Sequence, residues 1–503
     1  MQAYAAGTRD TAYTASQTRF DTIVDWLSSP AAITTMTHAQ LEERLHTDGL
    51  GLLAQLLQDS LDLRASREQR LCEVYDSDGA ARATAEPGRA RTLATVFGDV
   101  HVSRIAYRCR SLSDLHPADA GLNLPVEQHS HGLRRIAAIE ATRGSFDDAS
   151  AAITRNTGVK VGKRQVKELT ERAGADIDAF YDAGTPDPAA DTDVLVLVLQ
   201  FDAKGVVMRP DSLREHTKKK ATSRKLSGRL SRGEKRDRKR MAEVGAVYDL
   251  TPAPRTIADI LPDDDTARAT ARPAPLTHGK WLTASVTDDA AQVIGAGFDE
   301  ATRRDPEHHR DWVALVDGNT HQIDRIRAEA RARDVTVPIV IDFIHIAEYL
   351  WKAAWCFHTE GDPAVETWVR EQARAILAGR ASIVAAAIRR KATYHGLDPG
   401  RRKPADVCAT YLINKKNYLD YPTALANGWP IATGVIEGAC RHIVADRMDI
   451  TGARWSLDSA EAVLKLRAMI SNGDFDTYWA YHLTQEQQRV HNARYLDSII
   501  PTR

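Results

Sequence analysis

Val194-Leu195-Val196-Leu197-Val198-Leu199-Gln200-Phe201-Asp202 is the longest apolar run of the chain, and it ends on a carboxylate. Alternating β-branched and leucine residues with no polar face describe a central strand covered on both sides. The design recurs where Trp312-Val313-Ala314-Leu315-Val316 runs into Asp317-Gly318-Asn319, and where Val337-Pro338-Ile339-Val340-Ile341 runs into Asp342. Three apolar strands that each end on Asp gather acids at one edge of a sheet, which is how a metal site is built.

The intervening sequence supplies the rest of an α/β core. Residues 241–248 and 281–286 read as two further strands, separated by an acidic loop through Pro262-Asp263-Asp264-Asp265. Residues 288–304 and 321–333 read as helices on either side of the Asp317 strand. The order strand, strand, strand, helix, strand, helix, strand is that of the ribonuclease H fold. Residues 345–427 are helical in pattern and carry Trp351, Trp355 and Trp368, which suggests an all-helical insertion. Residues 436–446 then resume the core with a helix containing Glu437.

Between the first two strands the chain turns basic. Residues 209–240 hold fourteen Lys or Arg against four acids, among them Lys218, Lys219, Lys220, Arg224 and Lys225. Such clusters do not pack in a core; they are solvated or neutralised by a polyanion. Because the segment leaves the Asp202 strand directly, phosphate contact beside the acids is the reading adopted.

Upstream, residues 12–75 are helical, with Phe20, Ile23, Val24, Trp26 and Leu27 on one face. Residues 92–106 alternate around Phe97-Gly98-Asp99 as a hairpin. Residues 133–167 describe three short helices: one stopping at Gly144, one capped by Ser145, and one starting at Gly162-Lys163-Arg164-Gln165. This pattern suits a helix-turn-helix with Lys163, Arg164, Gln165 and Lys167 as DNA readers, and equally an ordinary helical bundle. A polar linker at 182–193 with Pro186 and Pro188 separates this region from the core.

The bulk numbers narrow the class. The 503 residues exceed one ordinary core, and 43% hydrophobic with 27% charged residues is a water-soluble composition. No apolar run approaches the roughly 20 residues of a membrane span. The first ten residues lack a basic region followed by an apolar core, so the expected location is the bacterial cytoplasm, in association with the nucleoid. The five cysteines are far apart and form no Cys-x-x-Cys pair, which argues against a zinc ribbon or a disulfide framework. Net charge is −1, so any nucleic-acid affinity has to come from local charge.

Phe201-Asp202-Ala203-Lys204, Leu315-Val316-Asp317-Gly318-Asn319, Asp342-Phe343-Ile344-His345 through Trp351, Gly434-Val435-Ile436-Glu437-Gly438-Ala439-Cys440-Arg441-His442 and Gly452-Ala453-Arg454-Trp455-Ser456 together resemble the DDE transposases of bacterial insertion sequences, in particular the Kra group related to Mutator-like elements. The resemblance runs from about residue 91 to the C-terminus. It implies Asp202, Asp317 and Glu437 as the catalytic and metal-binding triad, with the helical insertion between the second Asp and the Glu. Carboxylates crowded in this way raise one another's pKa, a cost that two Mg²⁺ or Mn²⁺ ions about 3.5–4 Å apart remove while they activate a water or a 3′-hydroxyl. Asp342 and His345 resemble an Asp-x-x-His element that either orients DNA or forms a buried Asp–His hydrogen bond. Many such enzymes carry Lys or Arg seven residues after the Glu; that position is Val444, and Arg441 is the nearest substitute. Trp455 is a candidate to stack on a flipped base, or a core tryptophan.

The expected architecture is therefore an α/β ribonuclease H-like catalytic core with a helical insertion, preceded by an α-helical N-terminal region containing a helix-turn-helix. Its segments are residues 1–90 (helical), 91–131 (hairpin and connector), 132–185 (helix-turn-helix), 191–345 (first part of the core), 346–430 (insertion) and 431–503 (end of the core). The resemblance implies double-stranded DNA as partner, as terminal inverted repeats and as target, and at least a dimer on DNA. The competing readings are a nuclease of the same fold that only hydrolyses, and a non-catalytic DNA-binding protein derived from a transposase.

Overall fold

The computed structural model describes residues 9–184, 196–222, 238–450 and 452–502, and divides the chain into two compact units. One comprises Met1–Gly184 with Asp474–Arg503, the other Thr185–Gly473.

The first unit begins with helix Thr14–Leu27 and the long helix His38–Arg67. Thr37 and Gln40 form a reciprocal capping box at the start of the long helix. Buried Asp59 accepts both the backbone N–H and the hydroxyl of Ser16, which locks the two helices together. Strands β1 (Thr84–Thr95) and β2 (Gly98–Arg108) form an antiparallel hairpin whose Val100 and Val102 pack with Leu61, Leu93 and Leu124. The hairpin starts at Thr84, earlier than the alternation from residue 92 suggests. Pro87 and Gly88 interrupt the pattern, and the ladder absorbs them as an irregularity between Glu86 and Arg89.

Helices His131–Arg143, Phe146–Thr157 and Lys163–Ala173 close around Leu133, Ala137, Ala141, Ile153, Val166 and Leu169. Ser145 and Asp148 cap the second helix, and Gly158 ends it at φ 72°, a left-handed conformation suited to glycine. The last segment of the chain belongs here and not, as the sequence suggests, to the core. Arg134 is fully buried and is neutralised by Glu486 at 2.8 Å and Glu127 at 3.3 Å. His482 lies 2.6 Å from Asp176, and the Tyr478 hydroxyl donates to the carbonyl of Ala173. A fully buried guanidinium needs carboxylates around it, and this need draws the C-terminal helix Phe475–Glu486 onto the three-helix cluster.

The second unit is built on a five-stranded sheet of order β5-β4-β3-β6-β7. Its strands are β3 (Val196–Val207), β4 (Lys239–Thr251), β5 (Leu276–Ser285), β6 (Asp311–Val316) and β7 (Ile339–Ile341). β4 pairs antiparallel with β3 and β5, whereas β6 runs parallel to β3 and β7 parallel to β6. The apolar run that begins in sequence at Val194 thus supplies the middle strand, and Leu197, Val198 and Leu199 are fully buried. Helix Ala290–Arg304 covers β3 and β4, and Gly297 lets it approach the ring of Phe201. After β7 the chain leaves the sheet through helices Phe343–Ala354, Ala364–Leu377, Ala381–Tyr394, Pro399–Asn414 and Tyr421–Ala426. It returns where the N–H of Phe343 donates to the carbonyl of Ile431 at 2.8 Å. Helix Leu457–Asn472 packs on β5, with Asn472 exchanging two hydrogen bonds with the backbone of Leu282.

Candidate active site

β3 and β6 are parallel neighbours whose pairing ends at Gln200 and Leu315, so Asp317, just past the end of β6, lies level with Asp202. Asp202 is not the strand exit that the sequence suggests: β3 runs on to Val207, still paired with β4. Asp202 is half-buried. It accepts the N–H of Ala203 on Oδ1 at 2.7 Å and faces the Cys440 thiol, 3.4 Å from Oδ2. Burial raises its pKa, and the charge of Asp317 adds to the effect. Asp317 is exposed. Its Oδ1 accepts the N–H of Asn319 at 2.8 Å, and the Tyr411 hydroxyl donates to its carbonyl at 2.7 Å. Gly318 between them has φ 93°, and a Cβ there would collide with the Tyr411 hydroxyl.

Glu437 lies on helix Gly434–Ala439, which is fastened to the central strand at two points. The N–H of Ile436 donates to Oε1 of Gln200 at 2.9 Å, and Cys440 reaches Asp202. Gln200 is the single polar residue inside the apolar run; its amide also donates to Tyr248 at 2.8 Å. Beyond Ala439 the helix widens into a π-turn over Cys440–Ala445, whose His442 and Ile443 carbonyls accept from the Arg467 guanidinium. The Cys440 thiol is pushed well above its ordinary range by burial and by the charges of Asp202 and Glu437.

Asp342 is 3% exposed and caps helix Phe343–Ala354 by accepting the N–H of Ile344 at 2.9 Å. Its Oδ2 lies 2.8 Å from the hydroxyl of Thr433, which is itself 3.0 Å from Oε1 of Glu437. Burial raises the Asp342 pKa, the Thr433 and Ile344 hydrogen bonds oppose it, and the charge of Glu437 adds to the rise. His345 packs edge-on against Tyr349 and Tyr411. Among the described residues no Asp342–His345 hydrogen bond forms, so that reading of the pair is corrected: the partner of Asp342 is Thr433. Glu243 of β4 is also raised, mainly by burial with Asp202 contributing.

The four acids Asp202, Asp317, Asp342 and Glu437 therefore surround one edge of the sheet, and none forms an ion pair with a described Lys, Arg or His. Hard oxygen donors without a compensating cation are the donor set Mg²⁺ or Mn²⁺ takes. Among the described residues no three Asp, Glu, His or Cys side chains are grouped so as to hold a metal ion. A Mg²⁺ site keeps several waters and needs only one or two carboxylates per ion, so the chemistry of these donors suits the ion although they do not form a complete site.

The remaining expectations divide. Arg441 is exposed one turn beyond Glu437, whereas Val444 is buried. Trp455 is 4% exposed: its indole N–H donates to the Met448 carbonyl at 3.2 Å, Arg447 lies 4.6 Å over its ring, and its backbone pairs with Val207 and Arg209. It is a core tryptophan; its ring is not offered to a flipped base. Lys218 and Lys219 lie on helix Glu215–Thr222, as does Lys220. The side chain of Lys220 falls outside the described residues, as do Arg224 and Lys225.

In the other unit, Lys163 and Arg164 are exposed at the start of helix Lys163–Ala173 and pair loosely with Asp147 and Glu168; Lys167 pairs with Glu171 at 2.7 Å. Gln165 folds back so that its carbonyl accepts the N–H of Gly162 at 3.1 Å, which makes it a capping residue before it is a reader. Thr433, Cys440, Gln200 and Tyr411 escape a reading of the sequence. Only Gln200 carries a clear signal there, as a polar residue inside an otherwise unbroken apolar strand.

No helix among the described residues is long and apolar enough to cross a membrane. No protein-family model and no curated protein sequence matches the chain.

Proposed function

We propose that the chain is a DNA transposase. Its first unit binds the terminal inverted repeats of its element, and the acids at the sheet edge of the second cut and join DNA strands. The observation that carries this reading is the placement of Asp202 and Asp317 side by side where the pairing of two adjacent parallel strands ends, with the Glu437 helix tied to the same central strand through Gln200 and Cys440. Numbered within the unit, the strand order is 3-2-1-4-5 with the second strand antiparallel to its neighbours, which supports a ribonuclease H-like core. A helical insertion between the second and third acids supports the insertion-sequence resemblance.

Two divalent ions, when bound, neutralise the carboxylates and stabilise the attacking and leaving oxygens of an in-line displacement at phosphorus. Asp202 holds its oxygens from within β3, and Asp317 from the turn directly after β6, which fixes their separation better than long loops would. Burial of Asp202 and the neighbouring charge of Asp317 disfavour its bare carboxylate, so a cation is the favoured partner. Tyr411 pins the Asp317 turn through its carbonyl. Arg441, exposed beyond Glu437, is placed to meet a phosphate. Lys163 and Arg164, held only by solvated ion pairs worth about 0–1 kcal/mol, can exchange them for DNA phosphates. Strand transfer needs two ends held together, so the working form is at least a dimer on DNA.

The test uses labelled duplexes taken from the DNA flanking the gene, in Mg²⁺, with Asp202→Asn as control. Cleavage at a discrete position followed by joining, absent in the variant, supports a transposase. Cleavage without joining points to a hydrolytic nuclease. Specific binding without cleavage in Mg²⁺ or Mn²⁺ points to a DNA-binding protein of transposase descent.

A further inference from the structure

We propose that Thr433 and Asp342 are positioning residues that tie Glu437 to the base of the helical insertion. The inference rests on the reading of Glu437 as the third acid. Thr433 is 5% exposed, and its single hydroxyl lies between two carboxylates, 2.8 Å from Asp342 and 3.0 Å from Glu437. Its carbonyl accepts the N–H of Glu437 at 3.0 Å, so it also forms the first turn of the Glu437 helix. The N–H of Asp342 donates to the carbonyl of Val316 at 2.8 Å, the residue before Asp317. A chain of close polar contacts thus runs from Val316, next to the second acid, through Asp342 and Thr433 to the third.

The path crosses the point where the insertion joins the sheet. The insertion leaves through Phe343, next to Asp342, and returns at Ile431, two residues before Thr433; the two ends are clamped by the Phe343–Ile431 hydrogen bond. The hydroxyl has one proton and two acceptors. Whichever carboxylate takes the proton, the hydroxyl sets the spacing between Asp342 and Glu437 and so fixes where the Glu437 carboxylate lies.

The experiment compares Thr433→Val, which keeps the shape and removes the hydroxyl, with Thr433→Ser, which keeps the hydroxyl. Mn²⁺ affinity of the full chain is measured by electron paramagnetic resonance, beside the Mg²⁺ concentration for half-maximal cleavage and gel-shift binding of flanking DNA. Thr433→Val is expected to weaken Mn²⁺ binding about 10- to 100-fold, the usual loss when an outer hydrogen-bond partner of a metal ligand is removed. Thr433→Ser is expected within about twofold of wild type. DNA binding should be unchanged in both. Asp342→Asn provides a second variant should Thr433→Val not fold: it removes the carboxylate that holds the Thr433 hydroxyl and is expected to weaken Mn²⁺ binding likewise. Wild-type Mn²⁺ affinity in a folded Thr433→Val or Asp342→Asn, or a loss in Thr433→Ser equal to that in Thr433→Val, overturns the inference while leaving the transposase reading intact. A wild-type chain that binds no Mn²⁺ removes both together.

Discussion

The thiol of Cys440 donates to Oδ2 of Asp202 across 3.4 Å, joining the helix of the third acid to the strand of the first. The bond is made at the residue where the helix begins to widen into its π-turn, so the contact and the irregularity lie together. With the Gln200–Ile436 bond it gives the helix two points of attachment to β3, enough to fix its direction as well as its distance.

Removing this thiol should disturb chemistry more than folding. Cys440→Ala is expected to slow cleavage about two- to tenfold, the equivalent of one hydrogen bond of about 0.5–1.5 kcal/mol, and Cys440→Ser to retain most of the rate. Because burial and its acidic neighbours hold the thiol protonated, iodoacetamide should label exposed Cys72 and Cys109 and leave Cys440 unmodified in the native protein. Peptide mass spectrometry reads this directly.

Asp202 contributes a pH-dependent penalty to the metal-free fold. Burial, then Asp317, raises its pKa above the ordinary 3.8, so between 3.8 and the raised value the folded state binds more protons than the unfolded one. Stability from this group is present below pH 3.8, falls as pH rises through that window, and stays low at neutral pH. Asp202→Asn should therefore melt at a higher temperature than wild type at pH 7 without metal, and Mg²⁺ should stabilise wild type more than the variant. Thermal melts with and without Mg²⁺ at pH 7 check both.

Gly318 has a conformation and a neighbour that exclude a side chain. Gly318→Ala combines an unfavourable positive φ with a collision at the Tyr411 hydroxyl, and should cost about 1–3 kcal/mol of stability together with most of the cleavage activity. Adding Tyr411→Phe removes the colliding oxygen and should recover part of the stability. It should not recover full activity, since the bond to the Asp317 carbonyl goes too. Denaturant titration of the single and double variants separates the two contributions.

The first unit should be acid-labile. Burial opposes ionisation of Asp176 and Glu486, but hydrogen bonds from His482 and Arg489 to the first, and from Arg489 and Arg134 to the second, bring both to about 2. Depressed carboxylates stabilise the fold above their ordinary pKa and lose that contribution as pH falls, here from about 4.5 to about 2. Glu486→Gln leaves Arg134 buried and under-neutralised, which should cost about 3–5 kcal/mol and flatten the acid limb of a stability profile followed by circular dichroism.

The strands that carry the acids are legible from their apolar runs, and the helical insertion from its periodicity, but Asp202 reads as a strand exit and lies instead inside β3, whose residues 203–207 go on pairing with β4. The return of Phe475–Glu486 to the first unit is not. It depends on a guanidinium at 134 and a carboxylate at 486, whose pairing nothing local announces. Gln165 reads as a DNA contact from its place beside Lys163 and Arg164, but helix-end geometry claims its carbonyl first. Trp455 reads as a base platform or as core, and the backbone pairing of its neighbourhood with Val207 decides for core. The acids could be predicted singly; Thr433, which links Asp342 to Glu437, could not, because a threonine one turn before a glutamate is an ordinary helix start.

The central claim is that Asp202, Asp317 and Glu437 act as one unit, and single-turnover cleavage of flanking duplex DNA in Mg²⁺ by Asp202→Asn, Asp317→Asn, Glu437→Gln and the triple variant tests it most directly. Each single variant is expected to lose cleavage by at least about 10³-fold, the triple variant to be hardly worse than any one of them, and all four to bind the DNA as wild type does. A single variant that keeps a tenth or more of the wild-type rate, or losses that multiply across the three sites, would contradict it.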